Sequence, residues 1–172
     1  MNEQKPISHL IAGLIIGAIM IIFSLVVEFA GLQQVKGIPL IGYGIIMASL
    51  ILFISIYGKA MNNQVTFGNL FSYGFKTTAV LMLTMILFTI IFFLLFPDIK
   101  EKLFESARQK MEEKIMPEDE IMDKLSIGKK MFWPLTIGSI ALVYAVVGAI
   151  ASLIGAAITK KKLINPIDQL DM

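Results

Sequence analysis

Four long stretches with almost no charged side chains dominate this chain and limit what it can fold into. They cover residues 7–32, 38–58, 77–96 and 131–159 of the 172-residue sequence. A helix rises about 1.5 Å per residue, so about 20 apolar residues cross the roughly 30 Å hydrocarbon core of a bilayer. Each stretch reaches that length, and hydrophobic residues make up 56% of the chain. The sequence therefore predicts a protein that crosses a membrane four times.

The four spans are predicted to be α-helices. Only helices and closed barrels satisfy every backbone polar group inside hydrocarbon. Barrel strands alternate apolar and polar residues, whereas segment 82–96 reads MLTMILFTIIFFLLF and shows no alternation. The same segment lacks the polar stripe of a helix in a soluble bundle. The predicted fold is an all-α integral membrane protein with a single domain, 1–172, and spans at about 8–32, 38–59, 74–96 and 133–159.

The one large hydrophilic segment lies between spans three and four, at about 97–130. It carries eight Lys and Arg residues and nine Asp and Glu residues. Apolar residues stand four apart in its first half, at Leu103, Ala107, Met111 and Ile115. This spacing predicts an amphipathic helix, and Pro117 then interrupts it before a second short apolar face. We therefore predict an extramembrane helical hairpin between spans three and four.

Basic residues bear on the orientation of the chain. An even number of spans puts both termini on one side, together with Lys5, Lys59, Lys76 and the three lysines at 160–162. The other side holds Lys36 and the charged segment, so raw Lys and Arg counting favours the opposite orientation, six against nine. The lysines at 160–162, however, directly follow a span and have no acids among them. We therefore predict cytoplasmic termini.

Small residues recur at four-residue spacing in three of the spans. Helix backbones can approach closely at such positions and gain dispersion contact, because lipid gives no hydrophobic drive between helices. The pattern predicts packing within one four-helix bundle, or alternatively contact between subunits. The candidate positions are Gly13, Gly17, Gly44, Ala48, Ala141, Ala145, Gly148, Ser152, Gly155 and Ala156.

Few ionisable groups lie within the spans. Glu28 is the one acid in an apolar span, and intramembrane acids are functional by default because a charge at mid-bilayer costs about 2.5–3.5 kcal/mol on insertion scales. Glu28 lies three residues before Gly31, so an interfacial or packing role and an ion or proton site both remain open. The only histidine, His9, has no acid or thiol cluster beside it, and the chain has no cysteine. We predict no metal site, no cofactor and no catalytic centre.

Two motifs resemble those of a known family. Segment 65–76, VTFGNLFSYGFK, is similar to the S-F-G-x-x-F-x-x-G lead-in to span three of the uncharacterised domain-of-unknown-function family four-one-nine-nine, which is common in Bacteroidetes. Segment 148–161, GAIASLIGAAITKK, resembles the closing G-x-I-x-S-L-I-x-A-x-I-x-K-K of that family. Thr66 stands where the family usually has Ser. The resemblance covers essentially the whole chain, implies a four-helix bacterial inner-membrane protein, and carries no activity.

The first of these motifs has a physical interpretation. We expect Phe67 and Phe71 to anchor a short interfacial helix that leads into span three. Gly68 and Gly74 would let the backbone turn into the membrane, and Lys76 would extend to the headgroups.

The sequence predicts a small non-catalytic membrane protein, an accessory or assembly subunit that acts through helix packing and through its hairpin. The alternative is a small transporter or channel component that works as an oligomer, with Glu28 or polar groups of the spans along its path. Those polar groups are Thr77, Thr78, Thr84 and Thr89. The expected partners are the lipid bilayer and a second copy or another membrane protein, and no nucleic acid.

Overall fold

The computed structural model describes residues 5–162, which form helices and no strand. Six α-helices follow one another: α1 (His9–Phe29), α2 (Ile38–Ala60), α3 (Phe67–Leu95), α4 (Pro97–Glu112), α5 (Glu118–Lys130) and α6 (Phe132–Ile158). A short 3-10 turn, Leu32–Gln34, joins α1 to α2. Helices α1, α2, α3 and α6 are long and apolar enough to cross a membrane. The predicted all-α membrane fold with four spans is confirmed.

The four long helices bury only a small part of their apolar surface against one another. In the most apolar window of each helix, 28% of the residues are buried for α1 and α2, and 17% for α3 and α6. The remaining side chains face outward and are almost all hydrophobic. Such a surface requires the hydrocarbon of a bilayer around it, because exposing so much apolar surface to water is unfavourable in free energy.

Packing divides the described helices into two units. The first joins α1, α2, the part of α3 up to Met85 and the part of α6 from Val143. The second, Ile86–Leu142, contains α4, α5 and the adjoining parts of α3 and α6.

The ends of α1 and α2 follow from local sequence. The Ser8 hydroxyl oxygen accepts a hydrogen bond from the Ile11 N–H at 3.3 Å and caps α1. Gly31 and Gly37 adopt left-handed backbone conformations, with φ of 68° and 102°, that redirect the chain into α2. Pro39 lies in the first turn of α2, where its missing donor costs nothing. Helices α1 and α2 are therefore joined by a tight connection, and they pack against each other.

The predicted separate interfacial helix before span three is wrong. Helix α3 runs without a break from Phe67, and the Thr66 hydroxyl oxygen accepts the Asn69 N–H at 3.2 Å near its start. Gly68 and Gly74 have helical rather than left-handed backbones, so neither turns the chain. At Gly74 the absence of a Cβ atom serves packing instead, as its contacts demonstrate below, whereas Gly68 is exposed.

The second unit contains the predicted helical hairpin. Helix α4 ends at Glu112, so the apolar periodicity runs past the helix, and Ile115 lies in the turn with a left-handed φ of 55°. Arg108 spans this turn, with nitrogen–oxygen distances of 2.8 Å to Glu112 and 2.7 Å to Glu118. The hydrogen bond to Glu112 and the charge of Glu118 raise the pKa of Arg108. The guanidinium therefore stays charged and holds the two helices together at the turn.

Aromatic side chains form the apolar part of the second unit. The Phe132 ring lies 5.2 Å from the Phe93 ring and 5.7 Å from the Phe104 ring, measured between centroids. Lys100 places its ammonium 4.5 Å from the centre of the Phe132 ring, and Ile121 of α5 is almost completely buried. The hairpin therefore has a small core of its own under a charged surface.

Candidate functional site

Three of the predicted small residues hold helices close to α3 in the first unit. A Cβ atom added to Gly13 or Gly17 of α1 would lie 2.6 Å or 2.8 Å, respectively, from a side chain of α3. A Cβ atom added to Gly148 of α6 would overlap the Thr78 side chain. A side chain at these positions would collide with α3, because α1 and α6 approach it closely there.

A second cluster of small residues surrounds Ile54 of α2. A Cβ atom added to Gly74 would lie 2.6 Å from both Ile54 Cδ1 and Ser152 Oγ, and one added to Gly155 would lie 2.7 Å from Ile54 Cδ1. Ser152 and Ala156 are fully buried in the same unit. These predicted positions therefore lie against other helices of the same chain.

Gly44 and Ala48 lie elsewhere, on the exposed surface of α2. No heavy atom comes within 4 Å of a Cβ atom added to Gly44. The glycine of α2 that packs on α1 is Gly42, which sequence reasoning missed and whose added Cβ would lie 3.2 Å from the Phe23 ring. Two further predicted positions are half-buried: Ala145 in the first unit and Ala141 in the second.

Four threonine hydroxyls in the first unit bond to their own helices. Each donates to the carbonyl oxygen four residues earlier, at 2.8 Å for Thr77, 3.0 Å for Thr78, 2.9 Å for Thr84 and 2.7 Å for Thr159. Ser152 differs, because its Oγ is buried and has no hydrogen-bond partner among the described residues. The threonines thus satisfy their polar groups without water or a ligand.

A cavity of about 370 Å³ opens where α1 begins, α2 ends and α3 begins. Its polar lining comes from all three helices and from the residue before α1, and consists of Ser8, His9, Tyr57, Asn69, Ser72, Tyr73 and Lys76. The four α3 residues follow the spacing i, i+3, i+4, i+7, so they share one face of that helix. Sequence reasoning named Lys76 but missed this cavity, because three separate segments build it.

Tyr73 stabilises the wall of the cavity. Its hydroxyl donates to the Ile7 carbonyl oxygen at 3.0 Å, and its ring stacks on Tyr57 with centroids 4.2 Å apart. These contacts fix the segment before α1 and the end of α2 against α3. The cavity is therefore formed by the folded protein before any ligand enters.

Aromatic rings of the predicted interfacial motif line the outside of α3. The rings of Phe67, Phe71 and Phe75 stack in series, with centroids 6.4 Å and 5.8 Å apart. The ammonium of Lys161 lies 5.6 Å from the centre of the Phe67 ring, and Gly68 beside it is exposed. A row of rings at one end of a span is typical of the headgroup region of a membrane.

Glu28 lies half-buried in the last turn of α1. Its backbone carbonyl accepts a hydrogen bond from the Gln33 side-chain amide at 3.4 Å, while nothing in the described part of the chain bonds to its carboxylate. The interfacial or packing role of Glu28 and its role as an ion or proton site both stay predictions. Between residues 5 and 162, no three His, Cys, Asp or Glu side chains are grouped so that they could hold a metal ion.

Comparison with known proteins gives one match. The model of a family described as "Protein of unknown function (DUF4199)" matches residues 12–161. No curated protein and no solved structure matches the chain.

Proposed function

We propose that this chain, which belongs to DUF4199, a family of proteins of unknown function, is a non-catalytic accessory or assembly subunit of a membrane complex, and we base this proposal on its surfaces. The observation that carries this proposal is the division of its small residues between an interior and an exterior face. Most of them pack inside the first unit, whereas Gly44 and Ala48 remain on the outside of α2.

The outer face of α2 has the features of a contact surface between membrane helices. Gly44, Ala48, Leu52 and Ile56 follow one another at four-residue spacing and are all exposed. The two small residues leave a shallow groove between larger side chains, into which a second helix can pack its backbone. Such a helix would belong to a second copy of the chain or to another membrane protein.

The hairpin of α4 and α5 supplies a second surface. Three of its large apolar side chains are well exposed: Ile115 at 93%, Met122 at 62% and Ile127 at 60%. We propose that these side chains contact a partner protein, while the charged residues around them keep the free hairpin soluble. The hairpin and the α2 face together support an assembly role.

We propose further that the protein lies in the bacterial inner membrane with its termini in the cytoplasm. Lys5, Lys59, Lys76 and the lysines at 160–162 stand at the ends of spans with no acid interleaved, and such residues favour the cytoplasmic side.

The alternative, a transporter or channel component, relies on polar groups along the spans. Thr77 and Thr78 are buried and donate to backbone carbonyls of α3, and Thr78 also fills the space beside Gly148. These contacts support a packing role for both residues. Ion or solute flux in proteoliposomes that disappears in Glu28→Gln would favour the transporter over the assembly subunit.

Photocrosslinking in native membranes tests the proposal. A photoreactive residue at Ala48 should give a crosslinked product, because this position faces the partner helix. The same residue at Ala79, an exposed small position on α3, is the matched control and should crosslink weakly. Gly44→Leu should abolish the Ala48 product by filling the groove. Equal products from Ala48 and Ala79, or a product that survives Gly44→Leu, would contradict the proposal.

A further inference from the structure

The cavity between α1, α2 and α3 collects polar side chains that have no partner among residues 5–162. Among the described residues, no side-chain hydrogen bond or ion pair engages His9, Asn69, Ser72 or Lys76. Together they offer an imidazole, an amide, a hydroxyl and an ammonium group to one volume of about 370 Å³. The lining, all of it in the described part of the chain, contains no carboxylate. Its chemistry therefore suits an anion.

Among the described residues, the surface of this part of the first unit carries one sign of charge. Exposed lysine side chains lie before α1, in the last turn of α2, on α3 and after α6: Lys5, Lys59, Lys76, Lys160, Lys161 and Lys162. The described segments that form it, 5–9, 57–76 and 159–162, contain no Asp or Glu. A concave site inside a field of one sign concentrates counter-ions. The positive charge around the cavity therefore favours a negatively charged ligand.

The position of Lys76 along α3 indicates the level at which the cavity lies in the membrane. The apolar part of α3 that follows, 77–95, is about 28 Å long at about 1.5 Å per residue, which matches the roughly 30 Å hydrocarbon core. Lys76 thus stands at the boundary of the hydrocarbon, and the preceding residues of α3 lie among the headgroups. Phosphate is the anionic group that a bilayer presents at this depth.

We propose that this cavity binds one anionic phosphate ester, either a phospholipid headgroup or a soluble phosphate ester. Lys76 provides the charge, and His9, Asn69 and Ser72 provide further hydrogen-bond donors for the phosphate oxygens. The glycerol or sugar attached to the phosphate would rest against the stacked rings of Tyr57 and Tyr73. Basic pockets between membrane helices bind lipid headgroups in this way. The site is independent of the proposed assembly role.

Native mass spectrometry of the whole protein in mild detergent tests the site. Titration with phosphatidylglycerol should give a one-to-one adduct. Lys76→Gln should weaken that adduct by about 10- to 100-fold, because it removes a hydrogen bond from a charged donor. Lys59→Gln removes the same charge from the same end of the unit but outside the cavity lining, so it should weaken the adduct much less.

Ser72→Leu distinguishes binding inside the cavity from attraction to a charged surface. The substitution fills the cavity and leaves every lysine in place, so it should also abolish the adduct. Unfolding temperatures of all variants in the same detergent would show that they are folded. If Lys76→Gln and Lys59→Gln weaken the adduct equally, or if Ser72→Leu binds as the unaltered protein does, surface charge alone is responsible and the proposal fails.

Competition identifies the source of the phosphate. Glycerol 3-phosphate that displaces phosphatidylglycerol at micromolar concentration would identify a soluble ester as the ligand, whereas no displacement at millimolar concentration would identify the lipid headgroup. Both results support the site, provided that Lys76→Gln and Ser72→Leu remove the binding. Loss of the α2 contact in Gly44→Leu with an unchanged adduct would show that the two proposals stand separately.

Discussion

Gly148 and Gly44 provide a matched test of the helix packing. Both are glycines inside apolar helices, but a Cβ atom at Gly148 would overlap the Thr78 side chain, whereas one at Gly44 would meet no atom within 4 Å. Substituting each glycine by alanine therefore adds the same methyl group to a filled and to an empty environment. We expect Gly148→Ala to destabilise the protein and Gly44→Ala to leave its stability unchanged or slightly raised.

Two opposing effects determine the size of the difference. Alanine in place of glycine stabilises a helix by about 0.5–1 kcal/mol, and overpacking a filled site costs about 1–3 kcal/mol. The upper part of the second range applies to Gly148, because its added Cβ would lie 2.7 Å from the Thr78 Cβ, which no side-chain rotation can move. The net loss for Gly148→Ala is about 2 kcal/mol. Gly44→Ala shows only the first effect.

Equilibrium unfolding in mixed micelles of a mild detergent and SDS, followed by circular dichroism, measures both variants. Thr78→Ala removes two of the three atoms that clash with the added methyl group, so the double variant with Gly148→Ala should recover about 1 kcal/mol of the loss. Equal stabilities of Gly148→Ala and Gly44→Ala would refute the packing described for the first unit. A double variant without recovery would place the loss somewhere other than the contact with Thr78.

Three further predictions concern single residues. Ile115→Asn should stabilise the hairpin by about 1 kcal/mol in a thermal unfolding experiment, because Asn tolerates the left-handed backbone of that turn, and an equal gain from Ile115→Val would contradict this reason. Arg108→Ala should speed amide hydrogen exchange at residues 113–116 and 118 without lowering the overall unfolding midpoint, since both of its ion pairs are exposed. Ser152→Ala should leave stability equal or higher in SDS titration, because it removes an unpaired buried hydroxyl, whereas a loss above about 1 kcal/mol would reveal a hidden partner.

The architecture was predictable because hydrocarbon sets the required helix length. Each span had to contain about 20 apolar residues. Inside hydrocarbon only helices and closed barrels satisfy the backbone, and the lack of alternating apolar and polar residues excludes a barrel. Pro117 and the change in apolar spacing likewise located the hairpin. The start of α3 was not predictable in the same way, since glycines at 68 and 74 suit both a bend and a close helix contact. In the structure the helix is continuous, and Gly74 lies in close contact with Ile54 of α2.

The sequence only partly predicted which face of each helix packs against another helix. The spacing of small residues in spans one and four identified positions that do approach other helices, such as Gly13 and Gly148. In span two it identified Gly44, although Gly42 makes the contact with α1. A water-soluble helix marks its inner face by polarity, but a helix in lipid is apolar on both sides. The cavity was harder still, because no local motif joins His9 and Tyr57 to the polar face of α3.

The length of α3 has a consequence for the cavity at its start. A continuous helix of 29 residues is about 43 Å long, which exceeds the roughly 30 Å of hydrocarbon in a typical bilayer. In a thicker membrane the first turns of such a helix are drawn among the acyl chains, unless the helix becomes more upright. The mouth of the cavity would then move away from aqueous solutes and towards lipid. The acyl-chain length of the surrounding lipids would therefore help to determine which ligand can enter.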